Sequence, residues 1–285
     1  MRKYLREDRL PTIFCPGCGN GIILGAVLRA IDELKLDMNK IVFVGGIGCS
    51  GRIPGYIKAD SLHTTHGRAL AFATGIKLYR PDLMVIVFTG DGDSGAIGLG
   101  HLIHAARRNI DIKTICINNL NYGLTGGQFS PTTPIGAYTY TSPYGNIEGF
   151  FDLCELVASA GAVYVARWTV RRVRQLIMSL KKAFVKRGFC YIEVVSPCPT
   201  GFGRRNDMPT SIDLIRFFEE RVVHIKKAKR MSKEEIRGKL VIGEFIDVEK
   251  PEFCEEYHKL IRGVERGEIK VLRPHLDWLE LEMRA

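Results

Sequence analysis

Apolar positions along the first 195 residues follow two alternating patterns. In one, apolar side chains recur every three to four positions, as over residues 20–37, and this period predicts a helix with one buried face. In the other, a short run is apolar throughout and ends in glycine, as in "KIVFVGG" (40–46), which is typical of a buried strand. The predicted helices are 20–37, 67–82, 95–109, 150–161 and 169–187. The predicted strands are 40–46, 83–90, 111–118, 162–167 and 189–195.

Strands alternate with helices over this whole region. That order, with strands that lack a polar face, predicts an α/β fold in which a parallel sheet is covered by helices on both faces. After Pro197 the alternation stops. Residues 200–230 predict an extended crossing segment and a helix, and the highly charged residues 231–285 predict a helical arm outside the sheet. We therefore divide the chain into an α/β domain, residues 1–198, and a C-terminal extension and arm, residues 199–285.

The composition narrows the class of protein. The chain has 285 residues, of which 46% are hydrophobic, and this suits one large α/β domain with an extension. No apolar run is long enough to cross a membrane, and the basic N-terminus lacks the apolar stretch of a secretory signal. These features predict a cytoplasmic protein that does not bind a membrane. Its eight cysteines then indicate metal ligands or buried thiols before disulfides.

The formal net charge of +10 bears on the choice of partner. Much of the excess falls in residues 169–188 and 224–233. We interpret these stretches as a solvated helix face and a charged tail, because no nucleic-acid-binding module surrounds them. The sequence therefore predicts no nucleic-acid binding, and an acidic protein partner is the alternative.

Glycine-rich motifs with polar side chains follow four of the predicted strands. They read "GGIGCSGRIPG", "TGDGDSG", "INNLNYGLTGGQ" and "SPCPTGFGRRN", after strands 40–46, 83–90, 111–118 and 189–195. Open parallel sheets bind their ligands at the carboxyl ends of the strands. The motifs are thus expected to meet at one edge of the sheet and to form a site there.

The motif "GDGD" places a carboxylate, Asp91, between glycines at a strand end. Mg²⁺ prefers oxygen ligands and often bridges a protein carboxylate to a phosphate. Asn119 follows 28 positions later (119 − 91), after one helix and one strand, which brings it back beside Asp91. This combination resembles the motif of thiamine diphosphate enzymes. The resemblance implies that Asp91, the Asn119 side chain and the Asn121 main-chain carbonyl bind Mg²⁺. It also implies a cofactor pocket lined by Gly90, Gly92, Asp93, Gly123 and Leu124.

Four cysteines, Cys15, Cys18, Cys49 and Cys198, flank the predicted strand ends and are expected to converge. Four thiolates suit either Zn²⁺ or a [4Fe–4S] cluster, and spacing alone leaves the two close to even. The neighbouring thiamine motif favours iron–sulfur, because zinc cannot accept electrons. The other cysteines are predicted to hold no metal: Cys116, Cys154 and Cys190 as core thiols, and Cys254 as a surface residue.

Together the motifs resemble the β subunit of the 2-oxoacid:ferredoxin oxidoreductases over roughly residues 10–230. The ending "PCPTGFGRRN" looks most like the 2-oxoglutarate branch of that family. The resemblance implies a thiamine-type α/β fold in which the four convergent cysteines hold a [4Fe–4S] cluster. It implies that Ile47, Gly48, Cys49 and Ser50 touch the cofactor. His66 matches a pocket position, and the alternative for it is a packed or helix-capping histidine.

The activity implied by the resemblance is oxidative decarboxylation of a 2-oxoacid to acyl-CoA and CO₂, with electrons passed through the cluster to ferredoxin. In this family the glutamate that activates thiamine comes from the α chain. The resemblance therefore implies an obligate complex with an α subunit, with or without γ and δ subunits. The chain has no ferredoxin-like run of four closely spaced cysteines, so further clusters would lie on other subunits.

Substrate choice is predicted from two positions that face the substrate in the family, Arg52 and Leu124. An arginine pairs a carboxylate in a two-pronged geometry, and 2-oxoglutarate carries a distal carboxylate that pyruvate lacks. This favours 2-oxoglutarate. The alternative is that Arg52 pairs with a nearby acid or supports the cysteine loop, which would leave pyruvate or a branched-chain 2-oxoacid open.

Two other functions fit part of the sequence but leave one of its features unexplained. A non-oxidative thiamine diphosphate decarboxylase or synthase would not need the four cysteines. A zinc-stabilised subunit without catalysis would not need Asp91 and Asn119 at their 28-position spacing.

Overall fold

A mixed sheet of eight strands runs through residues 1–269, the part of the chain that the computed structural model describes. Across the sheet the strands lie in the order β2-β1-β3-β4-β6-β5-β8-β7. All neighbours pair in parallel except β5 and β8, which are antiparallel. The strands are β1 (Ile41–Gly45), β2 (Asp60–His63), β3 (Met84–Gly90), β4 (Ile112–Asn118), β5 (Tyr164–Thr169), β6 (Cys190–Val195), β7 (Val222–His224) and β8 (Leu240–Asp247).

The helices connect these strands and begin where the sequence supplies a cap. Asp152 and Thr210 accept hydrogen bonds from the first turns of α4 and α6, which satisfies main-chain N–H groups that have no partner within the helix. A short π-helical turn, Asp93–Ile97, precedes α3. The helices are α1 (Asn20–Glu33), α2 (Ala69–Tyr79), α3 (Leu99–Arg108), α4 (Leu153–Ser159), α5 (Val173–Val185), α6 (Ser211–Arg221), α7 (Ile225–Ala228), α8 (Lys233–Ile236) and α9 (Phe253–Glu265).

Apolar residues cover both faces of the sheet. In β3, Ile86 and Phe88 belong to one buried cluster with α1 and α5, whereas Val85 and Val87 belong to a second with α2, α3 and α4. Successive strand residues point to opposite faces, so a strand with apolar residues at every position must be covered on both sides. The predicted fold class is confirmed.

The prediction that residues 231–285 lie outside the sheet is wrong. The segment contains β8, which pairs with β5, and its helical part consists of the short α8 and of α9; residues 270–285 lie outside the described part. The high charge of the segment concealed the strand. Its acidic residues Glu244 and Asp247 accept hydrogen bonds from Lys182 on α5 at 3.0 and 2.7 Å, so these charges pair at the surface beside the strand. The short strands β2 and β7 were not predicted.

The buried cysteines include one that the sequence misplaced. Cys116, Cys154 and Cys190 are core thiols, as predicted. Cys254 is 1% exposed and packs with the second cluster, so its prediction as a surface residue is wrong. Its acidic neighbours lie on the other face of α9, which the helical period allows.

The four motif-bearing strands, β1, β3, β4 and β6, are consecutive neighbours in the sheet. Their carboxyl ends therefore form one continuous edge, and the four motifs extend from that edge into the same space.

Candidate active site

Asp91 lies just beyond the end of β3 and is 1% exposed. Its Oδ2 accepts hydrogen bonds from the hydroxyls of Ser130 at 2.6 Å and Thr132 at 2.7 Å. Its Oδ1 faces Asn119, whose main-chain N–H lies 3.4 Å away. Burial raises the pKa of the Asp91 carboxyl to about 6, although these hydrogen bonds oppose the shift. A cation at Oδ1 would favour the charged form.

The side-chain amide of Asn119 lies between two oxygen atoms. With its nitrogen towards them, it donates to the Asn121 main-chain carbonyl at 2.6 Å and to Asp91 Oδ1 at 3.2 Å. A half-turn of the amide instead presents three oxygens to one point: a carboxylate, an amide and a main-chain carbonyl. These are the ligand types that Mg²⁺ prefers. The three residues predicted to hold Mg²⁺ are therefore together, in a donor set that fits the ion.

Asp93 is buried beside them and is held on several sides. Its Oδ1 accepts from the main-chain N–H of Gly67 at 2.7 Å, and its Oδ2 accepts from Thr89 Oγ1 at 2.8 Å. His66 Nδ1 lies 2.7 Å from Asp93 Oδ1, but off the direction that a hydrogen bond from the ring requires. The carboxylate thus fixes the turn that carries His66. Both interpretations of His66, a pocket residue and a packed histidine, are compatible with this contact.

These residues surround a cavity of about 290 Å³ at the edge of the sheet. The cavity wall contains every residue predicted to touch the thiamine cofactor and all three predicted Mg²⁺ ligands: Ile47, Gly48, Cys49, Ser50, His66, Gly90, Asp91, Gly92, Asp93, Asn119, Asn121, Gly123 and Leu124. The prediction that the strand-end motifs meet in one place is confirmed. The role of each residue stays a prediction.

The four thiols of Cys15, Cys18, Cys49 and Cys198 also converge. Burial, together with the charges of the other thiols in this group, raises the pKa values of Cys18 and Cys49 to about 11. Cys15 and Cys18 lie in one turn, in which the Cys18 N–H donates to the Cys15 carbonyl at 3.0 Å. Gly17 allows the turn because its φ is +81°, and a Cβ there would lie 2.7 Å from Ser211 Oγ.

The thiol group borders the oxygen group across a single residue, Gly123. A Cβ at that position would lie 3.3 Å from Cys198 Sγ and 3.5 Å from Asn119 Nδ2. Within residues 1–269, no three His, Cys, Asp or Glu side chains are arranged to hold a single metal ion. Four cysteine thiolates are the ligands of a [4Fe–4S] cluster and also of structural Zn²⁺. The donor set fits a [4Fe–4S] cluster.

Comparison with known proteins bears directly on the family. A family model described as "Thiamine pyrophosphate enzyme, C-terminal TPP binding domain" matches residues 46–194. The 2-oxoglutarate synthase subunit KorB of Methanocaldococcus jannaschii is 59% identical over 91% of this chain and 96% of its own length. The 2-oxoacid:ferredoxin oxidoreductase subunit beta of Saccharolobus solfataricus is 47% identical over 73% of this chain and 67% of that protein.

The chain belongs to the family of 2-oxoacid:ferredoxin oxidoreductase β subunits. The resemblance drawn from the motifs is thereby confirmed, including its 2-oxoglutarate branch and its enzyme class. A solved structure of 2-oxoglutarate:ferredoxin oxidoreductase from Magnetococcus marinus, with 2-oxoglutarate, coenzyme A and succinyl-CoA bound, agrees with this fold. It is 35% identical with a TM-score of 0.82, and the match covers 99% of this chain and 95% of that one.

Arg52 is the predicted site residue that this β subunit does not bring into the cofactor cavity. It is exposed on the 3₁₀ turn Ser50–Tyr56 and lines an adjoining cavity of about 480 Å³ that also contains Arg9 and His63. Leu124 lies in the cofactor cavity instead. Among the described residues, no carboxylate lies within ion-pair distance of Arg52, so its pairing with a nearby acid receives no support there.

Several residues of the β-subunit site were not predicted from the sequence, among them Ser130, Thr132 and Tyr122. Ser130 and Thr132 hold Asp91, and the Tyr122 hydroxyl donates to the Gly92 carbonyl at 3.0 Å. All three lie in the irregular segment between β4 and α4, where no hydrophobic period fixes the position of a side chain. The available signal was the hydroxyl-rich stretch "SPTTP" (130–134), which is too common in loops to indicate a site by itself.

None of the helices in residues 1–269 is long and apolar enough to span a membrane.

Proposed function

We propose that this chain is the cofactor-bearing subunit of an enzyme that oxidatively decarboxylates 2-oxoglutarate, forms succinyl-CoA and CO₂, and passes the electrons to ferredoxin. The observation that carries the proposal is the single cavity of about 290 Å³. On one side it has three oxygen ligands suited to Mg²⁺, and across Gly123 it adjoins four convergent thiols. Elsewhere in the described residues, no set of oxygen ligands for Mg²⁺ lies beside a set of thiols that could bind iron.

The chain's own residues would bind and orient the reacting groups. Asp91, Asn119 and the Asn121 carbonyl would hold Mg²⁺ against the diphosphate, and Cys15, Cys18, Cys49 and Cys198 would hold the cluster. When bound, thiamine diphosphate supplies the electron sink for loss of CO₂, and a [4Fe–4S] cluster accepts electrons one at a time. The Tyr122 ring packs against Gly92 and forms one wall, which limits the access of water to that side of the cavity.

The deprotonation of the thiols depends on the metal. Because burial holds the pKa values of Cys18 and Cys49 at about 11, both are neutral thiols at pH 7 without a positive centre. A thiolate is the form that binds metal, so iron binding releases protons from this group. Without a metal the site is thus poorly suited to the chemistry of reactive thiolates.

The proposal includes partners for the parts that this chain does not provide. An α subunit would supply the glutamate for thiamine activation, and γ and δ subunits would complete some forms of the complex. Coenzyme A and the 2-oxoacid are the small-molecule substrates, and ferredoxin is the electron acceptor. A complex of this kind would be cytoplasmic.

A visible spectrum of the assembled complex tests the redox part of the proposal. We expect a broad brown absorbance that dithionite bleaches, together with ferredoxin reduction that requires 2-oxoglutarate and coenzyme A. A colourless complex that contains zinc would contradict it.

Asp91→Asn tests the thiamine part: the variant should bind thiamine diphosphate and Mg²⁺ more weakly in calorimetry but keep the absorbance. Parental affinity in this variant would refute the metal assignment.

A further inference from the structure

A series of close polar contacts leads from Asp91 back into the sheet. Thr132 Oγ1 lies 2.7 Å from Asp91 Oδ2 and 3.0 Å from Asn118 Oδ1. On its other side, the Asn118 amide donates to Glu193 Oε1 on β6 at 2.6 Å. Glu193 is 1% exposed and Asn118 is 6% exposed, so both partners of this bond are buried. Neither residue lines the cofactor cavity.

Glu193 is itself held in a fixed orientation. Its Oε2 accepts from Arg167 Nε at 2.6 Å, and it also lies 3.1 Å from the Cys154 thiol. Arg167 donates its two other nitrogens to the two carboxylate oxygens of Asp152, at 3.0 and 2.6 Å. Such a two-pronged pair restricts the guanidinium strongly. The Oε1 atom of Glu193 is therefore left facing Asn118.

This arrangement decides which way the Asn118 amide points. An ionised carboxylate only accepts hydrogen bonds, so Asn118 must present its NH₂ group to Glu193. Its Oδ1 then faces the opposite way, where it accepts from the Leu120 N–H at 3.1 Å as well as facing Thr132. If the charge on Glu193 were absent, the amide would lose its reason to keep this orientation.

The turn that Asn118 holds is strained and carries the proposed metal ligands. Leu120, between Asn119 and Asn121, has a φ of +64°, a left-handed conformation that residues other than glycine rarely adopt. Its N–H is bound by Asn118, and its carbonyl accepts from Thr133 Oγ1 at 2.7 Å. A conformation of this kind persists only where its surroundings fix it. The side chain of Asn118 is one of these two restraints.

We propose that Glu193 is a positioning residue for the metal site. Through Asn118 it holds the turn that carries Asn119 and Asn121. The proposal rests on the proposed function, because it assumes that these oxygens bind Mg²⁺. Glu193 would act from behind the ligands and would not touch the metal, the thiamine cofactor or the substrate.

A purely structural role is the competing explanation, since removing one partner of a buried ion pair destabilises any fold. Asp111 provides a matched control. Asp111 lies directly before β4, at the end of that strand opposite to the candidate site. There it pairs with two buried lysines, Lys77 and Lys113. Asp111→Asn removes one buried carboxylate charge, as Glu193→Gln does, but it does so far from the cofactor cavity.

The experiment measures the affinity of the purified complex for Mg²⁺ in the presence of thiamine diphosphate, by calorimetry, together with its melting temperature. Changes to residues that orient metal ligands typically cost about 10- to 100-fold in metal affinity, and we expect Glu193→Gln to fall in this range. Asp111→Asn should lower the melting temperature and leave the affinity unchanged. The proposal is overturned if Glu193→Gln keeps parental affinity. It is also overturned if both variants lose affinity in proportion to their loss of stability.

A second pair of variants tests the contact itself. Asn118→Asp places two carboxylates against each other and should weaken Mg²⁺ binding. Adding Glu193→Gln restores an N–H donor opposite a carboxylate, so the double variant should bind Mg²⁺ about tenfold more tightly than Asn118→Asp alone. No recovery would count against the proposal. If the parent complex shows no Mg²⁺-dependent binding of thiamine diphosphate, the proposed function itself is wrong. If the parent binds and the variants have the same Mg²⁺ affinity as the parent, only the positioning role of Glu193 is wrong.

Discussion

The ring of Tyr122 lies directly against the main chain of Gly92. The Tyr122 hydroxyl donates to the Gly92 carbonyl at 3.0 Å, and a Cβ at Gly92 would lie 2.4 Å from the ring. Gly92 is thus needed at this position, because any larger residue would collide with the Tyr122 ring, which comes from the loop that follows β4. This contact joins the "GDGD" turn to the segment that carries Asn119 and Asn121, so it links the two halves of the proposed metal site.

Substituting Gly92 by alanine should therefore open the site. The ring of Tyr122 must move, and overpacking of this kind costs about 1–3 kcal/mol. If this overpacking destabilises the complex with thiamine diphosphate relative to the free protein, the affinity for thiamine diphosphate drops by about 5- to 150-fold in calorimetry. Gly100→Ala is the control, because no atom lies within 4 Å of the new methyl group and alanine favours the helix there. Equal affinities in the two variants would show that the Tyr122–Gly92 contact does not shape the site.

The cysteine assignment predicts a selective loss of iron. Cys198→Ala should lower the iron content of the purified complex and the reduction of ferredoxin, because one of four cluster ligands is gone. Cys254→Ala is the control. Cys254 is also a native cysteine, but it packs in the apolar core on the α2, α3 and α4 side of the sheet and is not one of the four proposed cluster ligands. Full iron occupancy in Cys198→Ala, measured as iron per folded chain, would contradict the assignment.

Much of this site could be predicted because parallel strands end at one edge. Asp91 and Asn119 are separated by one helix and one strand, and that unit returns the chain to the same edge. The positions of Ser130 and Thr132 could not be predicted in this way. They lie in an irregular segment whose path depends on tertiary contacts, such as the hydrogen bond from Ser130 to Asp91. The local pattern contains no trace of those contacts.

Arg52 and β8 show two further limits. The sequence placed Arg52 three positions after Cys49, but the intervening 3₁₀ turn directs its side chain to the neighbouring cavity. Such a turn has no distinctive apolar period. For β8, the acidic residues within the strand masked its pattern, and these side chains pair with Lys182 on α5. In both cases the missing information is a contact with another element.

The buried charge at Asp111 predicts a pH-dependent loss of stability. Burial alone would raise the pKa of Asp111, but the charges of Lys113 and Lys77 outweigh it and hold the pKa below its ordinary value. The stabilisation is therefore present above the unfolded pKa of about 3.9 and is lost as the pH falls through the folded pKa.

Asp111→Asn should destabilise the chain by about 3–5 kcal/mol near pH 7, because two buried lysines lose their partner. The measurement is the free energy of unfolding of parent and variant as a function of pH. The difference should stay constant from pH 7 to about 5 and shrink below about pH 4. A difference that grows on acidification would mean that the sign of the Asp111 pKa shift is wrong.

The choice of 2-oxoacid is predicted to depend on Arg52. This side chain is exposed at a cavity that adjoins the cofactor cavity, and no carboxylate of the described residues pairs with it, so it is available to a carboxylate of the substrate. Losing a charge-assisted pair costs about 1.5–3 kcal/mol. Arg52→Ala should then lower kcat/KM for 2-oxoglutarate by about ten- to a hundredfold, while activity on pyruvate falls much less. Arg29→Ala, which removes one positive charge from the exposed face of α1, should change neither value. If Arg52→Ala lowers kcat/KM equally for all 2-oxoacids, the arginine supports the cysteine loop and does not select the substrate.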